Sequence, residues 1–179
     1  MKTARTTLAV FLGVLLAAGI FACSKKDGAS PGGASSAPGN ITWMGYTDGM
    51  AKARQEGKPV MVDFYTTWCK YCKMMDDTTY KDPEIARILS GSFVTIKVNA
   101  EGQEKVADNG KTMTEQELAA NYKVSGYPTM VFFDDKGKMI GPLPGYSTPE
   151  EFKPVLTFIT SGAYAKGEKY EDYLKSVKK

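Results

Sequence analysis

Residues 59–77 read Pro59-Val60-Met61-Val62-Asp63-Phe64-Tyr65-Thr66-Thr67-Trp68-Cys69-Lys70-Tyr71-Cys72-Lys73-Met74-Met75-Asp76-Asp77. A proline opens a short apolar, β-rich run, residues 60–65, that is too short for a helix and is expected to form a buried strand. From Lys73 onward the residues are helix-compatible and free of Gly and Pro, so Cys69 is expected at or just before the first turn of a helix. Unpaired backbone N–H groups and the positive end of the helix dipole favour a thiolate there, and Lys70 and Lys73 add positive charge nearby. Cys72, three residues on, faces the same side one turn later, close enough to close a disulfide and expected to be the more buried of the two. In this reading Cys69 attacks a substrate disulfide and Cys72 resolves the resulting mixed disulfide.

Two blander readings compete. A zinc site needs about four ligands, whereas the chain has no His and only one further Cys, so no metal is expected. A purely structural bridge across two residues closes too small a loop to stabilise much.

Beyond the cysteine pair, several motifs make the chain resemble the thioredoxin superfamily. Asp63 stands six residues before Cys69, where that family keeps a buried acid, and Lys97 in Thr95-Ile96-Lys97-Val98-Asn99 resembles the lysine that pairs with it. Ser125-Gly126-Tyr127-Pro128-Thr129 matches the loop whose proline is cis and lies against the cysteines. Residues 132–138 resemble the closing hairpin and residues 141–146 the glycine turn after it. The likeness covers residues 41 to about 161 and is greatest to the periplasmic thioredoxin-like lipoproteins, in the manner of the DsbD C-terminal domain and SoxW. It implies an α/β thioredoxin fold, with a central mixed sheet flanked by helices. It also implies catalytic roles for Cys69, Cys72, Asp63 and Lys97, substrate binding by Trp68, Tyr127 and Pro128, and no cofactor.

Each implied role has a physical reason and a plainer rival. A carboxylate in a buried strand should have a raised pKa, suiting Asp63 to accept the Cys72 proton; the rival is an acid merely satisfied by Lys97. A cis Pro128 would bring the Tyr127 backbone alongside a docked peptide; the rival is an ordinary trans proline at a strand start. The chain departs from thioredoxin in having Lys70-Tyr71 between its cysteines, Tyr65 where Trp is usual, and a longer polar link over residues 100–114, read as a solvated connection or a partner-choosing loop.

The N-terminus carries Lys2 and Arg5 before an uncharged apolar stretch, Leu8 to Ala22, which reads as a signal peptide over residues 1–22. Ile20-Phe21-Ala22-Cys23 resembles a lipobox, with Cys23 lipidated; Phe21 is bulky for it, which leaves ordinary signal cleavage open. Residues 23–40, rich in Gly, Ser, Ala and Pro, form a flexible tether of roughly 20–25 Å r.m.s. span. The expected location is the periplasm, anchored to an envelope membrane, with a lean to the outer one because Ser24 follows Cys23. The mature chain has a formal balance of +1 with scattered bases, which gives no reason to expect nucleic acid. Met61, Met74, Met75, Met130 and Met139 are read as packing rather than copper ligands.

A single domain is expected over 41–161, followed by a tail, 162–179, with helical spacing. Strands are expected near 41–44, 60–65, 93–98, 129–134 and 138–141. Helices are expected at 48–56, from about 69, at 83–89 behind an Asp82 cap, at 115–122, and after a Thr148 capping box. Together these readings describe a thiol–disulfide oxidoreductase of the cell envelope that reduces protein disulfides, with a transmembrane thiol carrier as electron donor. A disulfide oxidase or isomerase, and a non-catalytic binding module, stay open as alternatives.

Overall fold

The computed structural model describes residues 39–177; the expected signal peptide, Cys23 and all but the end of the tether lie outside the described residues. In chain order the elements are β1 (Trp43–Met44), α1 (Tyr46–Glu56), β2 (Val60–Tyr65), α2 (Lys70–Asp77), α3 (Pro83–Ser92), β3 (Val94–Asn99), β4 (Lys105–Asp108), β5 (Lys111–Thr114), α4 (Glu115–Asn121), β6 (Thr129–Phe133), β7 (Met139–Pro144), α5 (Pro149–Thr160) and α6 (Tyr170–Val177). A single-turn 3₁₀ segment, Thr79–Lys81, joins α2 to α3.

Five strands form a mixed sheet in the order β1-β3-β2-β6-β7. Strands β1 and β2 run parallel to β3, while β6 lies antiparallel to β2 and to β7. Both faces are covered, which is why β2 reads as a continuous apolar run rather than an alternating one. One face packs Val62, Phe64, Ile96, Val98 and Phe133 against Tyr46 and Met50 of α1 and Leu118 of α4. The other packs Met61, Met130 and Phe132 against Met75 of α2, Ile85 and Leu89 of α3, and Phe152 and Leu156 of α5.

Local chemistry sets the helix starts. The Asp82 carboxylate accepts from the Glu84 and Ile85 N–H groups at 2.9 and 3.0 Å, with Pro83 at the first helical position. Thr114 and Thr148 each complete a capping box, with Glu117 and Glu151. Helix α5 continues through Pro154 to Thr160. The tail forms α6, whose Tyr170 and Tyr173 rings pack on Phe158 at 5.4 and 5.2 Å.

Helix α3 runs past Leu89 to Ser92, and the structure departs from the sequence reading in four further places. The first strand shrinks to Trp43–Met44, and α1 begins two residues early, at Tyr46. Strand β7 runs through Pro142 to Pro144, so the glycine turn is confined to Gly145, at φ 88°. The polar link contains a hairpin, β4–β5, instead of a solvated connection. Its Val106 and Met113 are buried in the α1/α4 core, and Asp108 is clamped by the Tyr46 and Tyr122 hydroxyls at 2.8 and 3.2 Å.

Gly49 of α1 packs directly on Ile96, and a Cβ built there would overlap the Ile96 side chain. Gly49→Ala is therefore expected to destabilise by about 1–2 kcal/mol in denaturant titration, overpacking outweighing alanine's better helix propensity.

Candidate active site

Strand β2 delivers the chain to Thr66 and Thr67, and α2 starts at Lys70, so Trp68 and Cys69 occupy the strand-to-helix turn. Cys69 is the N-cap of α2, in extended conformation, and its Sγ accepts the Cys72 N–H at 3.0 Å. A sulfur takes the place that a serine or aspartate oxygen usually fills at a helix start, and negative charge on it is stabilised by that N–H and by the helix dipole. Cys69 and Cys72 are joined in a disulfide, with their Cα atoms 5.3 Å apart. Both residues are 4 % exposed, so the expected difference in burial is absent in the oxidised form.

The parallel register of β2 and β3 sets Asp63 directly beside Lys97. Asp63 is 1 % exposed, and burial drives its pKa up to about 7 against the opposing pull of Lys97. Lys97 Nζ stands 3.9 Å from Asp63 Oδ2, beyond hydrogen-bond reach, and donates to Asp76 Oδ1 on α2. The ammonium also lies over the rings of Trp43, Tyr65 and Tyr80, at 4.9, 5.3 and 5.9 Å from their centroids. Asp63 Oδ1 and Tyr80 Oη are both buried without an aligned hydrogen-bond partner. The phenol is nevertheless close enough to favour the ionised carboxylate.

Around the disulfide the surface is aromatic. Trp68 and Tyr71 are 65 % and 56 % exposed. The Trp68 ring meets Tyr127 edge-on at 5.9 Å, and its Nε1 donates to Glu101 Oε2 at 3.0 Å. Tyr71 lies beside Tyr146, whose hydroxyl is 3.1 Å from Thr78 Oγ1. The Tyr127–Pro128 peptide bond is cis, and Pro128 leads directly into β6.

The residues singled out in the sequence thus fall into two groups: Cys69, Cys72, Trp68, Tyr127 and Pro128 at the helix start and its neighbouring loop, and Asp63 with Lys97 beneath the sheet surface. Sequence reasoning missed Asp76, Tyr80 and Glu101. Asp76 stands four residues after Cys72 and so on the same side of α2, a spacing that was available as a signal; Tyr80 and Glu101 reach the site through tertiary packing, which no local pattern announces. Among the described residues no cluster of three or more His, Cys, Asp or Glu is placed to hold a metal ion.

Comparison with known proteins gives consistent results. A family model described as a thioredoxin-like domain matches residues 46–160. The thiol:disulfide interchange protein DsbD of Salmonella typhi is 34% identical over 111 residues, which are 61% of this chain and 18% of that protein. The disulfide bond reductase DsbH of Chlamydia pneumoniae is 29% identical over 105 residues, 58% of this chain and 63% of that protein. Among solved structures, a thioredoxin from Thermus thermophilus is 32% identical with a TM-score of 0.59, covering 72% of this chain and 94% of that one. This chain therefore spans less than a fifth of DsbD and less than two thirds of DsbH.

Because the folded protein holds the Asp63 proton more tightly than the unfolded chain, the native state binds more protons between about pH 4 and pH 7. The Asp63 contribution to stability is therefore most favourable below pH 4 and is lost as pH rises toward 7. Asp63→Asn is expected to stabilise the protein at pH 7.5 by up to about 4 kcal/mol, with a gain that shrinks toward zero near pH 4 in denaturant titrations across that range.

Proposed function

The chain belongs to the thioredoxin-like domain family and has its fold, and from that premise we propose that it reduces disulfides in protein substrates. Homology to DsbD and DsbH and the Cys69-Lys70-Tyr71-Cys72 pair support the reading. The observation that carries it is the disulfide that caps α2, where one sulfur already receives a backbone N–H. In the reduced protein that N–H would stabilise a Cys69 thiolate, the form that attacks.

The reaction balances as a two-electron exchange. The Cys69 thiolate attacks one sulfur of the substrate disulfide, forming a mixed disulfide and expelling the other substrate sulfur as a thiolate. Asp63 takes the proton from the Cys72 thiol, and the Cys72 thiolate then attacks Cys69 Sγ, closing the Cys69–Cys72 disulfide and releasing the second substrate thiolate. An acid that titrates at about pH 7 is matched to that transfer at neutral pH. Lys97 compensates the Asp63 charge from 3.9 Å without a hydrogen bond to it, while Trp68, Tyr127 and Pro128 provide the surface against which an extended substrate segment docks.

We assign this chemistry to the periplasm, with the domain tethered to the envelope, the outer membrane favoured, through lipidated Cys23 and residues 23–40. The apolar stretch before Cys23 supports that assignment. Among the described residues no helix is long and apolar enough to cross a membrane. In an oxidising compartment the dithiol must be regenerated, and a transmembrane thiol carrier is the class of donor that supplies the electrons.

Equilibrating the protein against dithiothreitol and glutathione is expected to give a reduction potential nearer thioredoxin's ~−270 mV than DsbA's ~−120 mV. A value near the latter would replace the reductase reading with an oxidase, and a pair that resists exchange would leave a binding module. Cys72→Ser is expected to accumulate mixed disulfides through Cys69 on non-reducing gels, and Cys69→Ser to form none.

A further inference from the structure

Two buried polar atoms beside Lys97 are left unpaired: Asp63 Oδ1 on β2 and Tyr80 Oη on the turn after α2. Buried polar groups are almost always hydrogen-bonded, and an orphan in a core calls for an explanation. Tyr80 does not need its hydroxyl to pack. Its ring stacks edge-on to Trp43 at 5.0 Å and to Phe152 at 6.2 Å, contacts that a phenylalanine would make equally well. An apolar ring would also avoid the cost of an unpaired oxygen at a residue 6 % exposed.

The charged and titratable groups facing Asp63 are Lys97 from β3, Asp76 from α2 and Tyr80. Lys97 is committed to Asp76 and stands too far from Asp63 to donate to it. The ionised Asp63 therefore has charge compensation at 3.9 Å but no aligned donor on Oδ1, and the Tyr80 ring lies against the same ammonium, its centroid 5.9 Å away.

We propose that Tyr80 is a positioning residue for the proton transfer: its hydroxyl turns onto Asp63 Oδ1 when the carboxylate forms and turns away when Asp63 takes the proton of Cys72. The inference rests on Asp63 as the acceptor in the exchange described above. The tyrosine gives up no proton. It stabilises one protonation state of its neighbour, and so sets the pH at which the resolving step runs. The direction follows from the donor: a hydrogen bond to the anion lowers the affinity of Asp63 for its proton.

The test uses two readouts on the purified chain. One is the carboxyl ¹³C titration of Asp63 in the oxidised protein. The other is the pH profile of Cys72-dependent release of glutathione from a Cys69 mixed disulfide, in the wild type, Tyr80→Phe and Asp63→Asn. In Tyr80→Phe both the Asp63 midpoint and the inflection of the profile are expected to move up by about one pH unit, the size of one hydrogen bond to a charged group. A ring-fluorinated tyrosine at position 80, a stronger donor of nearly the same shape, is expected to move them down; it provides the test if Tyr80→Phe folds poorly. An unchanged midpoint and inflection in Tyr80→Phe, with the profile flattened by Asp63→Asn, would overturn the role of Tyr80 and leave Asp63 as acceptor. A wild-type profile in Asp63→Asn would remove Asp63 from the exchange, and Tyr80 with it.

Discussion

A carboxylate that water does not reach organises the redox end of this molecule. Asp63 is tolerable in the middle of β2 because the parallel register sets Lys97 beside it, and a slip of one residue would turn it into the opposite core, among Val62, Phe64 and Ile96. Lys97 is in turn held from three directions: by Asp76 of the active-site helix, by the strand register, and by the rings of Trp43, Tyr65 and Tyr80. The first strand, the central pair and α2 therefore meet at one ammonium group. The short strand β1 contributes little to the sheet by length, yet its Trp43 roofs the charge on which the buried acid depends.

The cysteine pair follows a different physical logic. A helix start offers free N–H groups wherever one begins, and the Cys72 N–H that Cys69 Sγ accepts is one of them. What the fold adds is placement: the strand-to-helix turn sets Cys69, only 4 % exposed, in a segment whose Trp68 and Tyr71 are exposed and pair with Tyr127 and Tyr146. Glu101 fixes the indole from the loop after β3. That loop is itself tightly turned, with the Gly102 N–H donating to the Asn99 carbonyl at 2.7 Å. A side chain at position 102 would collide with the Glu115 carboxylate.

Features encoded by neighbouring residues were legible in the sequence. The apolar run of β2, the Asp82-Pro83 helix start, the Thr148 capping box and the Cys-x-x-Cys helix all depend on contacts within a few positions, and all appear close to where they were expected. The hairpin at 105–114 was not legible, because only Val106 and Met113 of its eight strand residues are buried apolar side chains, and its pairing is stabilised by Asp108 reaching Tyr46, 62 positions away. Asp63 and Lys97 were recognisable through family resemblance. Asp76 was legible only through its spacing from Cys72 on α2, and Tyr80 was not legible at all, since its place arises only when the turn after α2 folds down onto the sheet.

The margins of the sheet carry a consequence of their own. Along β7 successive amides point alternately toward β6 and away from it, and the Gly145 N–H just beyond the strand points inward, to the Pro128 carbonyl at 2.8 Å. Pro142 and Pro144 therefore fall at the outward positions and offer no donor to an arriving strand. The opposite margin is only two residues long. Neither border of the five-stranded sheet is a usable template for backbone pairing, so the sheet is guarded against being zipped edge to edge to another polypeptide.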